Sequence, residues 1–69
     1  MKRNHVESSN IESIGYDSES QTLEIEFLNG SIYQYFDVPE HVYDELISAD
    51  SHGKYLAHQI KGYYRYSKV

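Results

Sequence analysis

Ser51-His52-Gly53-Lys54 combines, within four residues, the types that could hold an anion. A hydroxyl that caps a helix, a glycine that admits close backbone approach and a lysine at a helix start together favour phosphate. The leading glycine and the spacing of a P-loop are missing, so a plain turn between two helices is the competing reading. Around this stretch lie Tyr55, His58, Lys61, Tyr63, Tyr64 and Arg65, and earlier in the chain the pair Tyr33 and Tyr35. Rings beside cations can stack a base and pair a phosphate. The candidate ligand-binding residues are therefore Tyr33, Tyr35, Ser51, His52, Gly53, Lys54, Tyr55, His58, Lys61, Tyr63, Tyr64 and Arg65. Core or interface filling is the alternative account of the tyrosines, and it serves best for Tyr16 and Tyr43.

Catalytic readings are weaker. No Gly-x-Ser-x-Gly elbow is present, and His52 is merely the neighbour of Ser51, which rarely gives a base the required geometry. Glu24/Glu26 and Asp44/Glu45 read as the solvated faces of a strand and a helix rather than as acid–base pairs. His41 and Glu45 stand at i, i+4, an ordinary surface pair, and the chain has no cysteine and no His-Glu-x-x-His arrangement. The expectation is a non-enzyme with no metal site and no cofactor.

The elements that must position these residues can be read from periodicity. Ser9 to Tyr16 reads as a first strand with an irregular point, for which Gly15 is the candidate. In Thr22 to Leu28, Leu23, Ile25 and Phe27 alternate with Thr22, Glu24 and Glu26, the mark of a half-buried strand. Asn29-Gly30 is a hairpin signal, and Ser31 to Phe36 returns as the partner. A two-residue turn would place Tyr33 and Tyr35 outside, beside glutamates. A three-residue loop with Gly30 in a left-handed bulge would place them on the apolar face, opposite Ile25 and Leu23. The second register matches the cleaner apolar stripe and is preferred.

Pro39 suits the first position of a helix in which Val42, Leu46 and Ala49 form one apolar row. Ser51 can cap a second helix that Gly62 can end, with Leu56 and Ile60 inward, joined by Tyr63 if the helix continues, and Lys54, His58 and Lys61 on one solvent stripe. The expected fold is α+β: a small antiparallel three-stranded sheet packed against two helices, with Tyr64 and Tyr66 allowing a short C-terminal fourth strand or a tail. Residues 1–7 are expected to be a flexible N-terminus and residues 8–66 a single domain.

Charge is distributed unevenly. All eleven Asp and Glu residues fall between Asn4 and Asp50, a stretch with no Lys or Arg, whereas Ser51 to Val69 carries Lys54, Lys61, Arg65 and Lys68 and no carboxylate. The net charge of −5 hides this dipole. An acidic body repels a long polyanion, so duplex nucleic acid is disfavoured, while a small nucleotide-type ligand or a short single-stranded RNA meets less repulsion. A chain this short buries only about 60% of its unfolded surface, so a homo-oligomer is a natural way to add buried area. No apolar run approaches a membrane span, and the start lacks the apolar region of a secretory signal, so a cytoplasmic protein with no membrane partner is expected.

Several motifs taken together resemble the KTSC domain family. They are Ser8-Ser9-Asn10-Ile11, Ile14-Gly15-Tyr16-Asp17, Thr22-Leu23-Glu24-Ile25-Glu26-Phe27, Gly30, Tyr33-Gln34-Tyr35, Val38-Pro39, and Ala49-Asp50-Ser51-His52-Gly53-Lys54-Tyr55 with Ile60-Lys61 and Tyr64. The resemblance spans about Val6 to Tyr64. It implies a domain of this length, found at the C-terminus of some lysyl-tRNA synthetases and as single-domain bacterial and phage proteins, for which RNA binding has been suggested. Three functions follow as expectations. The first is a non-catalytic module for a small nucleotide-type ligand, which in a phage could sequester a nucleotide immune signal. The second is an RNA-binding accessory domain. The third is a protein-interaction or self-assembly module, in which the basic tail docks on an acidic body.

Overall fold

The computed structural model describes residues 1–69. Five strands form one antiparallel meander in the order β1-β2-β3-β4-β5: β1 Arg3–His5, β2 Ile11–Asp17, β3 Thr22–Phe27, β4 Ile32–Tyr35 and β5 Tyr66–Lys68. Between β4 and β5 come helix α1, Glu40–Ser48, and helix α2, His52–Tyr55, which runs on into a π-helical turn, Leu56–Ile60. The α+β class and the two helices are as expected, but the sheet has five strands where three, with an optional fourth, were expected. The additions are the two edges. Arg3–His5 lies in the segment expected to fray and pairs instead with Ser13 to Gly15. Tyr66–Lys68 takes the strand alternative rather than the tail.

The β3–β4 hairpin adopts the preferred register, with Tyr33 opposite Ile25 and Tyr35 opposite Leu23. Its physical cause is the turn. The Gly30 N–H donates to the Phe27 carbonyl at 2.9 Å, the Phe27 N–H donates to the Ser31 carbonyl at 2.8 Å, and Gly30 has φ +91°. That is a three-residue loop closed by a left-handed residue, which glycine adopts without steric cost. The irregularity in β2 falls between Ile11 and Ser13, not at Gly15. The extra residue there lets both Ile11 and Ile14 face the core.

The core joins Ile11, Ile14, Leu23, Ile25 and Tyr35 of the sheet to Val38, Val42, Leu46, Leu56 and Ile60 of the helical segment. Fully burying such an aliphatic side chain contributes about 1.5–3 kcal/mol. Pro39 sits one position earlier than expected, as the N-cap of α1. Tyr43 on α1 stacks on Tyr16 at a centroid distance of 4.9 Å, so one end of the sheet is closed by a ring pair. The Tyr16 hydroxyl is also satisfied, donating to the Val38 carbonyl. Tyr63 does not join the apolar side of the second helix. Gly62, at φ +86°, ends the helical segment, and Tyr63 is 71% exposed.

Candidate functional site

The inner face of β3, β4 and β5 is longer than the helices that cover it. Phe27 extends the Leu23/Ile25 stripe, and Tyr66 and Lys68 pair with Tyr35 and Tyr33, so all share that face. Beyond the covered part lies an open groove of about 620 Å³ lined by Phe27, Asn29, Ser31, Tyr33, Tyr35, Lys61, Gly62 and Tyr66. Its rings form one connected set. Phe27 meets Tyr33 edge-on at 5.8 Å, and Tyr66 lies 5.9 Å from both Tyr33 and Tyr35. Tyr35 is buried, and that burial, with the neighbouring Tyr33 and Tyr66 hydroxyls, holds its phenol in the neutral form by raising its pKa. Tyr66 is 62% exposed and offers a ring to solvent.

Lys61 is the single charged residue of the lining, with Nζ 5.6 Å from the Phe27 ring centroid, a cation–π distance. No carboxylate lies in ion-pair range of it. The π-helical turn explains its position. The Lys61 N–H donates to the Leu56 carbonyl at 2.9 Å, five residues back. Residues in such a wide turn each advance by less than the ~100° of an α-helix. Lys61 therefore leaves the Lys54/His58 stripe on which α-helical spacing placed it and turns toward Phe27.

Lys54 and His58 belong to a second, shallower depression, shared with Ser9, Asn10, Ser51, Gly53 and Ala57. Ser51 caps α2 as expected, its hydroxyl accepting from the Lys54 N–H at 3.2 Å. Gly53 also serves close approach, but of the Asn10 carboxamide. A Cβ at residue 53 would lie 2.5 Å from Asn10 Oδ1.

Of the remaining candidates, all but the exposed Tyr63 are engaged by other parts of the fold. His52 is half-buried, and its Nδ1–H donates to the Leu46 carbonyl at 2.8 Å, fixing the tautomer. The Tyr55 hydroxyl donates to Glu45 Oε1 at 2.6 Å, and burial together with that bond pushes its pKa up to about 12. Tyr64 packs against the core. Arg65 pairs with Asp37 at 3.1 Å and lies over the Phe36 ring at 5.4 Å. The structure thus brings Tyr33, Tyr35 and Lys61 together and leaves the other nine candidates elsewhere. Phe27, Asn29, Ser31, Gly62 and Tyr66 were not singled out as ligand-binding residues. The signals for them were the overhang of Phe27 at the end of its stripe and the Tyr64/Tyr66 alternation.

A family model of the KTSC domain matches residues 7–69. The chain belongs to the KTSC domain family. A protein of Stutzerimonas stutzeri is 43% identical over 70 residues, which covers 100% of this chain and 99% of that protein. A lysine–tRNA ligase of Trichormus variabilis is 44% identical over 63 residues, 91% of this chain but only 11% of the ligase. Among solved structures, a KTSC domain protein from Yersinia pestis superimposes with a TM-score of 0.93 at 42% identity, covering 99% of this chain and 96% of that one. The KTSC fold here contains no helix long and apolar enough to cross a membrane.

Proposed function

We propose that this KTSC domain is a non-catalytic binding module whose groove over β3, β4 and β5 takes a small nucleotide-type ligand. The observation that carries the reading is the lining itself. In a chain of net charge −5, the groove holds a connected set of rings and one unpaired lysine, with no carboxylate. A base would stack on Tyr66 and Tyr33, a phosphate would meet Lys61, and the free amide N–H groups of Asn29 with the Ser31 hydroxyl would read a polar edge. Base–aromatic stacking contributes about 1–3 kcal/mol per base. Sequestering a nucleotide signal, as a phage protein would, is the finer form of this reading.

Calorimetry with adenine dinucleotides, cyclic dinucleotides and ADP-ribose derivatives tests it. At least one member of the panel should bind, and Lys61→Ala and Tyr66→Ala should each weaken it by about tenfold or more. Lys54→Ala, in the other depression, should leave affinity unchanged. An absence of heat across the panel overturns the reading.

The lysine–tRNA ligases that contain a similar segment favour a second reading, a short single-stranded RNA on the same rings. It predicts affinity for a single-stranded oligonucleotide that falls steeply with salt. No gel shift at low salt would exclude it.

A further inference from the structure

The groove reaches β5 through Tyr66, and β5 is one of the two edges of the sheet. We propose that two copies of this chain pair through β5, antiparallel about a two-fold axis at Ser67, and that Lys68 of the second copy completes the groove. The use of the completed groove rests on the ligand reading above; the pairing does not.

The backbone sets the register. The Phe36 N–H donates to the Arg65 carbonyl at 2.9 Å, and the Val69 N–H donates to the Ile32 carbonyl at 2.8 Å. Ser67 lies between them, opposite Gln34. Backbone groups alternate in direction along an antiparallel strand, so Arg65, Ser67 and Val69 turn theirs toward β4. Tyr66 and Lys68 turn theirs toward the free edge. Two such edges, antiparallel about Ser67, exchange hydrogen bonds between Tyr66 of one copy and Lys68 of the other, twice over. Ser67 meets Ser67 as the non-hydrogen-bonded pair on the axis. An axis through Tyr66 or Lys68 would form only one such doubly bonded pair.

Side chains fit the same register. Each Lys68 falls opposite a Tyr66 ring, and the two lysines stand on the diagonal, roughly 7–8 Å apart. A lysine on an edge strand ordinarily discourages pairing, but here it meets a ring rather than its own kind. The charge of Arg65 is already met by Asp37. The three most exposed large apolar residues, Tyr63 at 71%, Val69 at 70% and Tyr66 at 62%, all lie at this end of the chain, where a second copy would cover them. Opposed residues share a face, so Lys68 of the second copy stands on the groove face beside Tyr66. Lys61 then bounds the rings on one side and the second copy's Lys68 on the other, an arrangement suited to a ligand with two separated phosphates.

The native chain has no cysteine, so cross-linking is clean. A non-hydrogen-bonded antiparallel pair holds its Cα atoms about 4.5 Å apart, within disulfide reach. Full-length Ser67→Cys should form a covalent dimer under mild oxidation at least about tenfold faster than Ser18→Cys, placed in the β2–β3 turn. Lys68→Pro removes an outward N–H but no bond to β4, so it should stay folded by circular dichroism and sediment as a monomer. Cross-linking of Ser67→Cys no faster than Ser18→Cys overturns the proposal. So does an unmodified protein that sediments as a monomer at every concentration, including one whose β5 edge accepts a foreign peptide instead. Cross-linking is measured without ligand, so its failure leaves the ligand reading to the calorimetry.

Discussion

On the outer face of the sheet, Glu24 and Glu26 stand on one strand with their charge met by neighbours, whereas on the inner face Lys61 stands over rings with no counter-charge. Arg3 reaches across Gly15 to both glutamates, pairing with Glu24 and lying 3.5 Å from Glu26. Its Nε donates to the Ser13 hydroxyl at 3.0 Å, Ser13 donates to Glu26 at 2.9 Å, and the Gln34 amide donates to Glu24 at 2.8 Å. Glu24 is only 7% exposed, and no buried side-chain polar atom is left without a partner. Glycine at residue 15 makes this closure possible, because a Cβ there would lie 3.0 Å from the Arg3 side chain and 2.7 Å from the Lys2 carbonyl. A satisfied network holds β1 to the sheet and offers little to a ligand. The inner groove has the opposite character: its lysine gains most when an anion arrives.

Removing Arg3 should break this contrast most severely. Arg3→Ala leaves a nearly buried carboxylate with one hydrogen-bond donor, and we expect about 2 kcal/mol of lost stability in urea denaturation. Ligand affinity should not change. Lys61→Ala is the converse case, with weakened binding but stability within about 0.5 kcal/mol of the parent, as for an exposed side chain outside any network. Equal destabilisation by both variants would remove the distinction between the faces.

Acid should separate them next. Burial alone would raise the Glu24 pKa, but the hydrogen bonds from Gln34 and Arg3, with the charges of Arg3 and the N-terminus, bring it below its ordinary 4.5. A carboxyl depressed in the folded state adds stability above the unfolded value and loses it as pH falls through the folded one. Urea midpoints followed from neutral pH to about pH 3 should therefore drop below 4.5, and the drop should be shallower in Arg3→Ala.

The smallest effect belongs to His5, exposed beside the same network. Hydrogen bonds to Glu12, at 3.1 Å, and to Glu7 raise its pKa above 6.5. A raised histidine contributes fully below 6.5 and loses that contribution as pH rises through the folded value. An NMR titration should show the His5 midpoint above 6.5, and Glu12→Gln should bring it down.

The hairpin register was half legible: Asn29-Gly30 accepts either loop, and only the Leu23/Ile25/Phe27 stripe tipped the choice toward the register observed. Val42, Leu46, Leu56 and Ile60 followed from helical spacing, whereas Ala49, the third member of the first row, ends as the C-cap of α1 outside the core, and Val38 was not read as core. β1 was not legible. Arg3, Asn4 and His5 carry no alternation of apolar and polar residues, and their pairing depends on an arginine reaching two glutamates far along the chain. Glu24 read as solvated because a strand glutamate usually is; only the arrival of Arg3 and Gln34 covers it. The groove was half legible. Tyr33 and Tyr35 stood out by type, but Phe27 and Tyr66 matter because the helices stop short of them, and the extent of cover is a tertiary property.

The five-residue turn Leu56–Ile60 has a bearing on how relatives should be compared. Because the wider turn sets the angular phase at which the chain reaches Lys61, deleting one residue within it would restore α-helical winding and carry the ammonium away from Phe27. A one-position gap there, with every ring retained, would then mark the boundary between KTSC domains that share the proposed ligand chemistry and those that keep only the scaffold. Segment length, rather than residue identity, becomes the character to score.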